Sequence, residues 1–95
     1  MSHIFVTYDL SSEDYENEKD EVLEDFLLEN DFSDEYKEKI LPSTTLIKNS
    51  KPEDDVSKIE KSILEFCEQK KIRIENLLVI KAEKFTHHED EELVE

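Results

Sequence analysis

The chain contains no glycine and no tryptophan, and it has only two prolines, one methionine and one cysteine. Without glycine there is no glycine-rich loop to bring backbone close to a phosphate, which excludes the common nucleotide-binding fingerprints. Tight turns are expected to fall to Asn, Asp, Pro or Ser. The lone cysteine, Cys67, has no partner for an intramolecular disulfide, which agrees with a reducing compartment. No apolar run approaches the roughly 18 residues of a membrane span. The first residues, Met-Ser-His-Ile-Phe, show no basic flank leading into an apolar signal core, and the expectation is a cytoplasmic protein.

What is present is charge. Charged residues make up 41% of the 95 residues against 36% hydrophobic, a mixture near the border of disorder, and the net charge is −15. The charge is uneven: thirteen acids and one base, Lys19, lie in 9–35, whereas 36–82 carry ten bases and eight acids. The final stretch, 83–95, has six acids and one base. Nucleic-acid binding usually draws on Lys and Arg that replace phosphate counterions. This surface opposes polyanions, so nucleic acid is disfavoured as a partner and a basic protein is favoured.

The apolar residues fall in periodic blocks, which predicts a folded domain over 1–85 followed by an acidic tail over 86–95. Ile4, Val6, Tyr8 and Leu10 alternate with Phe5, Thr7 and Asp9, the pattern of a central strand at 4–10. Ser11 or Ser12 offers a cap for a first helix over 13–30, with Tyr15, Val22, Leu23, Phe26 and Leu27 on its buried stripe. Residues 31–42 fit a helical turn through Phe32, Tyr36 and Ile40 or, the favoured reading, a short edge strand closed by Pro42, and 43–49 read as a second core strand. Ser50 and Glu53 suggest a capping box for a second helix over 53–70, buried through Val56, Ile59, Ile63, Phe66 and Cys67. A last strand spans 77–83. Strand, helix, edge strand, strand, helix, strand is a βαββαβ order. The expected fold is therefore an α/β (α+β) sandwich of ferredoxin-like type, with two helices on one face of an antiparallel sheet.

Three stretches carry a family resemblance: IFVTYDL at 4–10, LPSTTLI at 41–47 and LLVIKAEKF at 77–85. Together they resemble the SinR-like group, small relatives of the CRISPR-associated Cas-two proteins. The resemblance implies a ferredoxin-like homodimer whose first strand ends in Tyr-Asp, here Tyr8 and Asp9. It implies further that two symmetry-related Asp9 carboxylates can hold a divalent metal such as Mg²⁺. Some members of that family are metal-dependent nucleases and others are structural adaptors. The chain departs from the family where chemistry would occur. The segment after Tyr-Asp is Ser-Ser-Glu-Asp-Tyr-Glu-Asn-Glu rather than basic, and Arg73 is the only arginine.

Candidate chemistry is sparse. Asp9 and Tyr8 are the catalytic candidates and Asp9 the metal-binding one; the plainer reading of Asp9 is a carboxylate capping a strand end or the helix that follows. Ser11, Ser12, Ser43, Thr44 and Thr45 offer hydroxyls to a phosphate, or serve as caps and strand residues. His87 and His88 beside 89–92 form a weak metal-binding sequence or a solvated tail, and His3 reads as a surface residue. Cys67 reads as a small core residue. Phe5 and Tyr8 are candidates for base stacking or dimer contact. Glu16, Asp20, Glu21, Glu24 and Asp25 form the acidic helix face, which either keeps the protein dispersed or presents carboxylates to a basic surface. The functional expectation is a non-catalytic homodimer that binds a protein partner through this face. The alternatives are a Mg²⁺-dependent endonuclease built on paired Asp9 residues and an acidic nucleic-acid mimic.

Overall fold

The first strand, β1 (His3–Leu10), lies at the centre of a three-stranded antiparallel sheet between β4 (Thr45–Asn49) and β5 (Ile74–Ala82). The computed structural model describes residues 2–86 and residue 88. The tail reading of 86–95 and the histidine–acid run from 87 to 92 fall almost wholly outside the described residues. The alternation in β1 holds throughout. Ile4, Val6, Tyr8 and Leu10 are buried, whereas Asp9 is exposed. The buried set packs on Leu23 and Leu27 of α2 (Lys19–Glu29) and on Ile63 and Cys67 of α3 (Val56–Gln69), so the core lies between the sheet and its helices. The result is a small mixed α/β domain. Among the described residues no helix is long and apolar enough to cross a membrane.

The first helical region is broken rather than continuous. Ser11 caps a short α1 (Ser12–Glu16), its hydroxyl accepting from the Asp14 amide, and Glu18 then takes a left-handed conformation before α2 begins. Of the expected stripe, Leu23 and Leu27 are buried and Phe26 is partly so, while Tyr15 and Val22 stay largely exposed. The break turns α2 relative to α1, so one stripe cannot serve both.

The second core helix begins later than its sequence suggested. Asp55, not Ser50, is the cap, and its carboxylate accepts from the Ser57 amide. Residues 51–54 instead form a turn in which the Asp54 carboxylate accepts from the Lys51 amide. Residues 31–42 do not make a full edge strand. They form the two-residue strands β2 (Glu35–Tyr36) and β3 (Lys39–Ile40), and a bridge between Ser33 and Ile47 joins this segment to the sheet.

With no glycine to use, six of the described residues adopt positive φ: Glu18, Asp31, Lys37, Glu38, Thr44 and Lys71. Only Asp31 belongs to the residue types expected at turns. Lys37 and Glu38 together close the β2–β3 hairpin, a position that usually takes Asn-Gly. Asp31 and Lys71 end α2 and α3. In each case the next amide reaches back five residues, Phe32 N to Leu27 O at 3.1 Å and Ile72 N to Cys67 O at 2.8 Å. Both ends are Schellman motifs, and each buries its apolar pair, Leu27 with Phe32 and Cys67 with Ile72.

Candidate functional site

Tyr8 and Asp9 are adjacent in sequence and point to opposite faces of β1. Tyr8 lies beneath the helices, where burial, followed by repulsion from Glu24 and Asp20, pushes its phenol well above the usual range. It is therefore held as a neutral hydroxyl and is not on the open face, where base stacking would require it. Asp9 stands on that open face, opposite Asn76 of β5. The two side chains do not converge.

Around Asp9 is a shallow cavity of about 350 Å³ lined by Thr7, Tyr8, Asp9, Asn76, Leu77 and Leu78. None of these residues is cationic. No group of three or more His, Cys, Asp or Glu residues suited to a metal ion occurs among the described residues. Asp9 of one protomer can supply a single carboxylate, so any Mg²⁺ would need ligands from a second copy or from a phosphate. The hydroxyl-rich loop lies close by. The Thr44 carbonyl accepts from the Tyr8 amide at 3.2 Å, and Thr45 and Thr7 are joined through their hydroxyls at 3.2 Å. These hydroxyls serve strand pairing.

The acidic face is carried by α1 and α2. Leu23 and Leu27 anchor α2 on the core, which leaves Glu21 and Asp25 exposed and Asp20 and Glu24 half-buried at the rim above Tyr8; Glu16 is exposed on α1. Burial, and then repulsion from Asp34, Asp25, Asp20 and Glu21, raises the Glu24 carboxyl above its ordinary range. The rim is thus crowded with like charge. A cation placed there would relieve repulsion that already exists.

Asp14 was not singled out by the sequence, yet it is the buried acid of the described fold, at 5% exposure. Burial alone would raise its carboxyl. The Arg73 amide, the Ser11 hydroxyl and the Lys19 ammonium outweigh that effect and hold it below the usual range. Lys19, the lone base of the acidic segment, sits 3.5 Å from Asp14 and donates to the Lys71 carbonyl at 2.7 Å. Its isolation among acids was the available sequence signal. On the far side of the helices, the Asp54 carboxyl is lowered by the Lys51 amide, against the effect of burial and with the help of Lys48 at 3.3 Å.

Cys67 is buried, which pushes its thiol up to about 11 and makes it a packing residue rather than a nucleophile. His3 is not simply a surface residue. Its ring packs edge-on to Tyr36 and Phe85, Phe85 also meets Phe5, and its Nδ1 is buried without a hydrogen-bond partner. This aromatic group covers one end of the open face, and Asp9 stands at the other. Compared with protein-family models, with curated proteins and with solved structures, the chain finds no match.

Proposed function

We propose that the chain is a non-catalytic, homodimeric interaction module of the Cas-two/SinR-like type, with a ferredoxin-like fold, that takes a basic protein partner on its acidic helix face. The position of β1 between two antiparallel neighbours supports the ferredoxin-like reading, with the Ser33–Ile47 bridge standing where an outer strand would pair. The carrying observation is the crowded rim formed by Asp20, Glu21, Glu24 and Asp25, in which burial and then repulsion from neighbouring acids raise the Glu24 carboxyl. Four carboxylates mounted on a helix that is fixed to the core form a preorganised site for lysine or arginine side chains.

Poly-L-lysine is a suitable probe, with binding followed by calorimetry at low salt. Replacing Asp20 and Asp25 by Asn and Glu21 and Glu24 by Gln is expected to weaken binding by about tenfold. Neutralising Glu53, Glu60, Glu65 and Glu68, an equal change in charge elsewhere, leaves most of the binding in place. Equal losses in both variants would reduce the effect to net charge and overturn the proposal. RNA cleavage that requires Mg²⁺ and is lost in Asp9→Ala would replace this reading with the endonuclease.

A further inference from the structure

The outer edge of β5 meets no other strand among the described residues. The usual protections of an exposed edge are few here: β5 contains no proline, and its only charged residues are Glu75 and Lys81. In a chain of net charge −15 this strand is locally neutral. Leu78 and Ile80 project from it onto the open face at 52% and 42% exposure.

The order of residues around Leu78 is self-complementary in its apolar and its charged pairs, with Asn76 and Ile80 the exception. Counting outward in both directions, Leu77 matches Val79 and Glu75 matches Lys81, whereas Asn76 meets Ile80. An antiparallel pair about a twofold axis places such matches directly opposite one another and on the same face of the sheet. We propose that β5 pairs with β5 of a second copy about a twofold axis at Leu78, forming one continuous sheet through both protomers. Each Glu75 then faces the other copy's Lys81, an opposite-charge cross-strand pair at both ends of the contact. The Leu78 side chains meet at the axis on the open face. The irregularity between Asp9 and Leu10 in the β1–β5 register ends the regular strand near Glu75 and so limits the pairing there.

This contact specifies the homodimer named above and is independent of the acidic face. Two experiments on the full chain test it. Leu78→Cys is expected to form a symmetric disulfide under mild oxidation, because directly opposed residues lie within bonding reach. Asn76→Cys faces a different residue across the axis and is expected not to crosslink, and the buried Cys67 does not compete.

The second experiment exchanges charge at two exposed positions. Glu75→Lys and Lys81→Glu should each weaken self-association by about tenfold, by placing like charges opposite one another. Glu75→Lys does so although it lowers the net negative charge. Mixed together, the two variants restore opposite-charge pairs, and a heterodimer is expected by sedimentation. A dimer that neither crosslinks at Leu78 nor responds to the exchange overturns the β5 pairing while leaving the homodimer intact. A chain that remains monomeric overturns both and leaves the edge to an extended segment of another protein.

Discussion

At the scale of single residues, carboxylates with opposite roles sit within one acidic sequence. Asp14 and Asp54 are lowered because amides and lysines hold their charged forms. Glu24 is raised because burial and four neighbouring acids disfavour its charge. The linkage signs therefore differ. The stability from Asp14 and Asp54 is complete above the ordinary carboxylate range and is lost as pH falls through their lowered values. The penalty from Glu24 is complete above its raised value and is relieved as pH falls through it. Glu24→Gln should therefore stabilise the protein at neutral pH, with the gain vanishing under mild acid. Asp14→Asn should destabilise it at neutral pH and flatten the loss at lower pH. Urea unfolding across a pH series reads both effects, and parallel curves for the two variants would contradict the assignments. Sequence alone could not separate these acids. The partners that distinguish Asp14, the Arg73 amide and the Lys71 carbonyl bound by Lys19, lie more than fifty residues away in the chain.

At the scale of elements, the helix ends carry a cost that a glycine would remove. Lys71 holds φ near 57° so that α3 can close its Schellman turn. Lys71→Gly should raise stability by about 1 kcal/mol, because a residue with a Cβ is disfavoured in the left-handed region. Its carbonyl remains available to Lys19. Ser43→Gly, at a position without positive φ, should instead lower stability by a few tenths of a kcal/mol or more, roughly the entropic cost of an added glycine. Denaturant midpoints for the two variants moving in the same direction would count against this account. The same backbone features explain which elements the sequence revealed. The alternation of Ile4, Val6, Tyr8 and Leu10 and the stripe of Ile59, Ile63, Phe66 and Cys67 are periodic and were legible. The break at Asn17–Glu18 was not, because the acids on either side are equally compatible with a continuous helix. The hairpin at 35–40 was hidden by a Lys-Glu turn, where turn chemistry would favour other residues. The Asp9 candidate was legible as a strand-end carboxylate, and the same alternation already set it on the face opposite Tyr8.

At the scale of the whole molecule, a charge of −15 on each protomer sets long-range repulsion against any self-association. Screening should therefore tighten the proposed dimer as salt rises from about 0.05 to 0.5 M, because the Debye length falls from over 10 Å to a few ångströms. The proposed Glu75–Lys81 contacts would weaken under the same conditions, but they are few beside the summed repulsion. Sedimentation across a salt series at neutral pH reads the balance, and unchanged or weaker association would contradict it. The aromatic group at the far end of the open face has a consequence of another kind. His3 near the start of β1 and Phe85 beyond β5 stand ring to ring at 5.2 Å, so the opening and closing stretches of the described chain are next-door neighbours. A short linker could join them into a circle and new ends could be cut elsewhere.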